Sequence, residues 1–594
     1  MIFPTLQEMQ TSREWCDIFY GYNHNLRIAD GEFYDMTNMS GDDYPILSPR
    51  SKRGIYVPSV QYPRGLIEKD ALCYIDGGDF MINKYRVPLG LSVDYDDEGK
   101  IKPKRLVSMG AYVIIMPDKK YVNTNAIETD YGDIESQYNS GGLAVSFAPS
   151  RLGGEEYENI VVGAVAPTIT DEMLNGSVPI PVWIDTSSEP NSFKIYSTTS
   201  DNWTSIATTY VKISAEGIGT KFEVNDGVSI EGIVAEGATD LNASAVIVGK
   251  SEGFIIVAGL IKKVVSQTEN VKVVRKMPEL DFICESGNRL WGCRYGQQGD
   301  KIVNEIYASK LGDFKNWNYY QGTAADSYAV TVGTDGVFTG AVTHLGYPIF
   351  FKEGYMHKIY GNYPANYQVQ TTACRGVQKG CADSIATVNE VLYYKARSGV
   401  VGYDGSLPQE ISGALGDEAY DRAVAGYIGN KYYISMRDGR KNYHLFVYDT
   451  KKAMWHREDA TEAVAFCNCR GDLYFIDYAT NQIMSVKGDG VTDPNAVKWE
   501  AVTGIMGTDS PDKKYISRID VRMKLWPGSC VNFYAEYDSS GEWEHIGSMT
   551  GIDLKSFSVP MKPKRCDHMR LKIMGVGEAK IFSICKNVEW GSDK

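Results

Sequence analysis

The stretch Val391-Leu-Tyr-Tyr-Lys-Ala-Arg-Ser-Gly-Val-Val-Gly-Tyr-Asp-Gly405 decides the fold of this chain. Two short apolar and aromatic runs flank a turn at Arg397-Ser-Gly399, which is the pattern of a β-hairpin. Hairpins of the same form recur along the sequence, in the later part about every 40–50 residues, at Ala71–Asn83, Ala111–Asn123, Arg289–Cys293, Tyr347–Tyr355, Lys431–Met436 and Asp472–Tyr478. This period predicts a β-propeller of about six to eight blades, because a blade buries its faces only against its neighbours. Stacked β-sandwiches are the alternative.

The composition also indicates an all-β protein. The 594 residues include 40 Tyr and 59 Gly, and aromatic residues make up 12%. Aromatic residues favour strands and glycines favour turns. The best helical pattern is Thr5–Phe19, where Leu6, Met9, Trp15 and Phe19 are loosely spaced.

The character of the sequence changes twice along the chain. Residues 131–270 are richer in Ser, Thr, Ala and Gly and contain an Asn225-Asp226-Gly227 turn, which predicts an inserted small β-domain. Amphipathic strands after about residue 495 predict a C-terminal β-sandwich. The predicted order is an extended N-terminal arm (1–54), the first blades (55–130), the inserted domain (131–270), the remaining blades (271–494) and the sandwich (495–594).

Charge and hydropathy exclude several classes of protein. With 61 Lys and Arg against 75 Asp and Glu, the formal charge is 61 − 75 = −14, which argues against a protein that grips nucleic acid by its phosphates. Phe254–Ile261, the longest apolar run, is too short to span a membrane. The N-terminus lacks the pattern of a signal peptide. Eleven scattered cysteines, without zinc-type spacing, indicate reduced thiols made in a cytoplasm.

No catalytic or cofactor motif stands out in the sequence. The seven histidines are isolated, and no phosphate-binding loop or nucleophile elbow is present. Acid pairs such as Asp42-Asp43 and Asp96-Asp97 resemble the two carboxylates of a glycosidase, but adjacent residues on a strand point to opposite faces. Four tryptophans could stack on sugars or pack in the cores of blades, and packing in blade cores is the favoured interpretation. They are Trp291, Trp317, Trp455 and Trp543.

One acidic turn is a weak candidate for a calcium site. Asp94, Asp96 and Glu98 alternate before Gly99, as in the first half of a calcium loop. The position that needs a bidentate Glu is occupied by Arg105. A solvated acidic turn between blades is therefore the favoured interpretation, and no metal or cofactor is predicted.

Two stretches resemble the β-propeller proteins of the tail nozzle and neck of tailed bacteriophages. The first contains Gly21-Tyr-Asn23, Gly31-Glu-Phe-Tyr-Asp-Met-Thr-Asn38 and Arg50-Ser-Lys-Arg53-Gly54. The second is Asn288-Arg-Leu-Trp-Gly292, followed by Asn304-Glu-Ile-Tyr-Ala-Ser309 and Gly312-Asp313. The resemblance covers about residues 20–125 and 270–590 loosely, and its motifs are blade-closing signals without an active site to transfer.

The resemblance implies a non-enzymatic structural protein of a virion. It implies a location in the tail or neck, assembly in the bacterial cytoplasm, contacts with other tail or neck proteins, and a cyclic ring of six copies. Genomic DNA would pass through such a ring without sequence-specific binding, which an acidic or neutral lumen allows. The alternative is a peripheral tail protein that binds a host-surface glycan through residues 131–270 or the sandwich. A propeller hydrolase is the third hypothesis, although no acid or histidine cluster supports it.

Overall fold

The computed structural model describes residues 11–508, 513–551, 553–561 and 564–590. These residues form two compact units: residues 1–106, 336–358 and 370–594 contribute to the first, and residues 107–335 and 359–369 to the second. Strand is the dominant secondary structure, as predicted. No helix in the described ranges has the length and apolar character needed to cross a membrane.

The chain starts with six short strands, which contribute to several sheets. They are β1 (Thr11–Cys16), β2 (Gly21–Tyr22), β3 (Glu32–Thr37), β4 (Met39–Ser40), β5 (Ser48–Pro49) and β6 (Gly54–Val57).

Two four-stranded sheets follow, and their strand order is the chain order. The first contains β7 (Leu66–Lys69), β8 (Ala71–Asp76), β9 (Asp79–Ile82) and β10 (Tyr85–Val87). The second contains β11 (Arg105–Met109), β12 (Tyr112–Met116), β13 (Lys120–Asn123) and β14 (Tyr131–Asp133).

The inserted region is a separate β-module within the second unit. An eight-stranded sheet has the order β15-β26-β22-β23-β24-β21-β16-β25, and a four-stranded sheet β17-β18-β19-β20 interrupts it in sequence. Its elements are β15 (Ser136–Asn139), β16 (Val145–Ser150), β17 (Ile160–Gly163), α1 (Asp171–Leu174), β18 (Val182–Asp185), β19 (Ser192–Ser197), β20 (Asn202–Ser205), β21 (Tyr210–Ser214), β22 (Gly227–Glu231), β23 (Ser244–Ser251), β24 (Phe254–Ala258), β25 (Val265–Gln267) and β26 (Lys272–Arg275).

Five further blade-like sheets follow the insertion, and β6 completes the last one. The first two comprise β27 (Phe282–Ser286), β28 (Arg289–Gln298), β29 (Lys301–Ala308), α2 (Asn318–Gln321), β30 (Tyr328–Thr331), β31 (Gly340–His344), β32 (Tyr347–Lys352), β33 (Tyr355–Tyr360) and β34 (Gln368–Ala373). The others comprise β35 (Ala386–Val388), β36 (Val391–Lys395), β37 (Val400–Tyr403), β38 (Gln409–Glu410), β39 (Tyr420–Ile428), β40 (Lys431–Asp438), β41 (Tyr443–Asp449), β42 (Met454–Arg457), β43 (Ala463–Cys469), β44 (Asp472–Asp477), β45 (Gln482–Ser485) and β46 (Val491–Thr492). The last sheet has the order β43-β44-β45-β6-β46.

The fold class is confirmed. Outside the inserted region, six sheets of four consecutive strands and the five-stranded sheet that contains β6 give seven blade-like sheets, within the predicted range of six to eight. The fold is an all-β propeller with an inserted β-domain and a C-terminal sandwich. Trp291, Trp317 and Trp455 are at most 2% exposed and pack in hydrophobic cores, as the favoured interpretation of the tryptophans expects. The interpretation is wrong for Trp543, which is only partly buried and lies in the C-terminal sandwich and not in a blade.

The C-terminal sandwich is built from both ends of the chain. Its own strands are β47 (Lys498–Thr503), β48 (Lys514–Leu525), β49 (Cys530–Tyr537), β50 (Glu544–Thr550), β51 (Lys555–Val559), β52 (Met569–Val576) and β53 (Ala579–Trp590). The two sheets have the orders β1-β53-β48-β51 and β2-β3-β47-β52-β49-β50. Inward residues of β48 and β52, such as Val521 and Ile573, share one core with Phe33 of β3.

Two predictions about the N-terminal segment, the helical pattern and the extended arm, are wrong. Thr11–Cys16 is not helical but pairs as a strand with β53, from Thr11 opposite Glu589 to Cys16 opposite Ile584; residues 5–10 lie outside the described residues. Residues 11–54 are not an extended arm, because β1–β3 join both sandwich sheets and β6 joins the last blade. The physical reason is that β53 and β47 would be edge strands with unpaired backbone groups if this segment were absent. The segment supplies the hydrogen-bond partners from the same chain.

Candidate functional site

A cleft of about 720 Å³ lies at one end of the last two blades, within the first unit. Hairpin turns build three of its walls: Ile428–Lys431 between β39 and β40, Asp449–Lys452 between β41 and β42, and Asn468–Gly471 between β43 and β44. Residues of the segment 40–53 form the remaining wall. We call this cavity the strap cleft and the segment 40–53 the strap. Its volume lies in the range of small-molecule sites, about 300–1,000 Å³.

The walls of the strap cleft carry more cations than anions. Three carboxylates line it, Asp42, Asp449 and Glu458, together with six cations: Arg50, Arg53, Lys431, Lys451, Lys452 and Lys487. The lining charge is therefore 6 − 3 = +3, in a chain whose formal charge is −14. A concave site of one sign attracts ligands of the opposite sign.

Two arginines fix the floor of the strap cleft. Arg53 is 6% exposed, donates to Glu458 at 2.7 Å and lies 2.9 Å from Asp459. Arg50 lies 3.5 Å from Glu458 and 3.4 Å from Asp459. Burial disfavours the charged form of Asp459, but Arg53 and Arg50 outweigh it and lower the pKa of this carboxyl to about 2. These charges compensate one another and hold the strap on the blade.

Two lysines attach the outer part of the strap to the blade. Lys431 pairs with the Asp42 carboxylate, and Lys452 donates to the backbone oxygen of Gly41 at 2.6 Å. Lys452 also lies 3.2 Å from Asp449. The cations Lys431 and Lys452 are thus already engaged.

Two other lysines lack a carboxylate partner. Lys487 donates only to the backbone oxygen of Gly471, at 2.7 Å, and the side chain of Lys451 makes no hydrogen bond or ion pair with any described residue. Both side chains are exposed at the rim. They are therefore available to an anionic group that enters the cleft.

One neutral donor faces the interior. Tyr433 is 3% exposed and lines the cleft, and its hydroxyl has no hydrogen-bond partner among the described residues. Burial raises the pKa of Tyr433 well above its ordinary value, and the carboxylates Glu458 and Asp42 add to the increase. The hydroxyl therefore keeps its proton and can donate it to a ligand oxygen.

The structure does not assemble the candidate calcium loop. Asp94 binds Lys104 at 2.8 Å, Asp96 binds Arg422 at 2.5 Å, and Glu98 binds Arg437 at 2.7 Å. Arg105 instead pairs with Asp383. Arg422 also lies 3.2 Å from Glu98, so the three carboxylates are neutralised by side-chain cations of the protein. No metal-binding group of three forms here or elsewhere in the described ranges. The loop is held on the blade by ion pairs.

The adjacent acids Asp42 and Asp43 also diverge. Asp42 faces Lys431 in the strap cleft, whereas Asp43 pairs with Lys580 of the sandwich at 2.6 Å. Both residues lie in the turn between β4 and β5, where the direction of the backbone changes from one residue to the next. The sequence alone does not reveal the strap cleft, because Tyr433 lies in β40, whereas Lys451 and Lys487 follow β41 and β45. Only the regular spacing of the blades signals that these positions meet.

In the second unit, the second stretch that resembles phage proteins has a structural role. Arg289 donates to the backbone oxygens of Ser309 and Asp326, both at 2.7 Å, and Trp291 donates to that of Ser286 at 3.1 Å. The backbone N–H of Gly312 donates to the oxygen of Asn288. These contacts join the strands and loops of one blade.

Comparisons with known proteins yield a likeness to solved structures only. No family model and no curated protein matches the sequence. An exo-β-1,3-galactanase of Phanerochaete chrysosporium is 8% identical over 51% of this chain and 94% of its own, with a TM-score of 0.22. A Trypanosoma rangeli sialidase is 8% identical over 97% of this chain and 95% of its own, with a TM-score of 0.21. An arabinoxylan arabinofuranohydrolase of Bacillus subtilis is 6% identical over 66% and 91%, with a TM-score of 0.17.

These findings correct the predicted function. The similar structures are glycoside hydrolases and a sialidase, so the prediction of a non-enzymatic phage tail protein, and its alternative of a peripheral glycan-binding tail protein, is wrong. The physical reason is that residues that stabilise a blade indicate a propeller fold, and a fold does not determine the function of the protein. The fold neighbours are enzymes, but identities this low establish no activity for this chain. The resemblance itself, the virion location and the ring of copies stay predictions.

Proposed function

We propose that the protein binds a small polar ligand with an anionic group, such as an acidic monosaccharide, in the strap cleft. One observation carries the proposal: the cleft combines an unpartnered buried hydroxyl, Tyr433, with two rim lysines that lack carboxylate partners, Lys451 and Lys487. The ligand body hydrogen-bonds Tyr433, and its anionic group meets the lysines. Charge-assisted hydrogen bonds of this type are stronger than neutral ones.

The test is calorimetric titration with glucuronate and glucose 6-phosphate, with glucose as the neutral control. Saturable heat with the two anions, and none or much less with glucose, is expected. The double variant Lys451→Ala/Lys487→Ala should weaken anion binding about tenfold, which corresponds to about 1.4 kcal/mol. Lys84→Ala, at the exposed turn between β9 and β10, is the matched control and should leave binding unchanged.

The buried hydroxyl is tested separately. Tyr433→Phe keeps the ring and removes the donor, so affinity for both anionic sugars should fall about threefold to tenfold. An absence of binding by the wild type to both anions would disprove the proposal. Equal binding of glucose and glucuronate would disprove the role of the lysines.

A further inference from the structure

A second group of ionisable residues lies on the six-stranded sheet of the sandwich, on residues that the strap cleft does not use. In the register of β3 and β47, Asp35 is opposite Val502 and Thr37 is opposite Glu500. Residues directly opposite each other share a face, as do residues two apart on one strand. Asp35 and Glu500 are therefore diagonal neighbours on one face, a relation that spans about 7–8 Å.

The two carboxyl groups have different surroundings. Asp35 Oδ1 accepts from Arg457 at 2.5 Å and from the backbone N–H of Met36 at 2.8 Å, and the side chain is 34% exposed. Its Oδ2 has no partner among the described residues. Asp35 is thus held in place with one oxygen available.

Glu500 is half-buried and makes no side-chain hydrogen bond or ion pair with any described residue. Burial raises the pKa of Glu500 above its ordinary value, Asp35 adds to the increase, and Lys572 and Arg457 oppose it. A carboxyl group with a raised pKa suits the role of a general acid.

Aromatic and polar side chains extend the same face beyond the pair. Lys572 is opposite both Val502 and Tyr534, so it shares the face of Asp35 and Glu500. Its ammonium lies 4.2 Å from the ring centroid of Trp543 and 5.9 Å from that of Tyr534. His545 continues the row, with its ring 5.2 Å from that of Tyr534. Ring faces beside polar groups suit the amphipathic faces of a pyranose ring.

We propose that Asp35 and Glu500 are an acid–base pair that hydrolyses a glycosidic bond of a saccharide bound on this sheet face. Two carboxyl groups about 6.5–9.5 Å apart leave room for a water molecule and give inversion at the anomeric carbon. The strand positions of Asp35 and Glu500 are diagonal neighbours about 7–8 Å apart on the sheet, and from these positions their side chains can hold such a separation. This proposal is independent of ligand binding in the strap cleft.

The reaction balances with water as the only co-substrate. Glu500 gives its proton to the leaving oxygen as the anomeric C–O bond breaks. Asp35 takes a proton from water as the water oxygen bonds to the anomeric carbon. A proton then passes from Asp35 through solvent to Glu500, which restores both groups. Trp543, Tyr534 and Lys572 hold the sugar next to the scissile bond.

The test uses the full chain and 4-nitrophenyl glycosides of glucose, galactose, xylose, arabinose and N-acetylneuraminic acid, with NMR detection of the product anomer. The wild type should hydrolyse at least one with inversion. Glu500→Gln should lower that rate about 10²–10⁴-fold, the usual contribution of a general acid. The loss should be much smaller with the 2,4-dinitrophenyl analogue, because that leaving group needs no proton. Asp35→Asn should slow both substrates.

A pH profile separates this role from a structural one. The wild-type rate should fall as pH rises through the pKa of Glu500, and that limb should disappear in Glu500→Gln. Glu542→Gln, at an exposed turn of the same sandwich, is the matched control and should behave as the wild type. Failure of the wild type to release product from all five glycosides would overturn the proposal. Unchanged rates in both Asp35→Asn and Glu500→Gln would also overturn it.

Discussion

At the scale of single residues, Glu500 has a measurable effect on stability. Because its folded-state pKa is raised, its contribution to stability is fully present below the unfolded-state pKa and is lost as pH rises through the folded-state pKa. Glu500→Gln removes this loss. We expect the variant to be more stable than the wild type at pH 7 and equally stable at pH 4, as measured by urea denaturation. A stability difference that does not change with pH would contradict the assignment.

Arg53 is the residue on which the strap depends most. Its partner Glu458 is only 4% exposed in its side chain, so Arg53→Met leaves a buried carboxylate without its closest cation. Removing one partner of a buried pair costs about 3–5 kcal/mol. We expect a loss of this size in the free energy of unfolding.

A solvent-exposed ion pair provides the control for Arg53. Arg151 and Glu155 lie 3.2 Å apart, with side chains 65% and 74% exposed. Arg151→Met should therefore change stability by about 0–1 kcal/mol. Equal effects of the two substitutions would show that the strap is not anchored through Arg53.

At the scale of elements, the pairing of β3 with β47 makes the N-terminal segment part of the core. Phe33 of β3 is 1% exposed and packs with residues of the sandwich. Phe33→Ala should cost about 3–5 kcal/mol of the free energy of unfolding. Leu26→Ala is the control, because Leu26 is 85% exposed. A change in the free energy of unfolding near zero for Phe33→Ala would contradict the packing of β3 in the sandwich and would favour the predicted extended arm.

Local patterns predicted hairpins well and long-range partners poorly. Val391–Gly405 contains β36, its turn and β37, all of which follow from alternation and turn residues. The pattern at Thr5–Phe19 suggested a helix, but the exposed backbone edge of β53 determines the structure of Thr11–Cys16. Pairing over more than 500 residues leaves no local signal, so the sequence could not reveal it.

At the scale of the whole molecule, the sequence predicted the architecture but not the sites. The blade period is a repeated local pattern, whereas the strap cleft joins residues 40–53 to turns near residues 430, 450 and 470. Asp35 and Glu500 likewise become neighbours only through the sandwich. A site assembled from distant turns and strands needs the register, which a single sequence does not specify.

The ring of six copies stays a prediction of the resemblance to phage proteins. Light scattering coupled to gel filtration measures the mass of the particle in solution. A cyclic hexamer would have about six times the 66.0 kDa of the chain. A mass of one chain at every concentration tested would remove this prediction without bearing on either proposed site.

The central claim is that the strap cleft holds an anionic polar ligand, and a crystal structure of the protein soaked with glucose 6-phosphate tests it most directly. We predict the sugar within hydrogen-bond distance of the Tyr433 hydroxyl and the phosphate between Lys451 and Lys487, with no density in Lys451→Ala/Lys487→Ala crystals. An empty strap cleft in wild-type crystals soaked at saturating concentration would contradict the account.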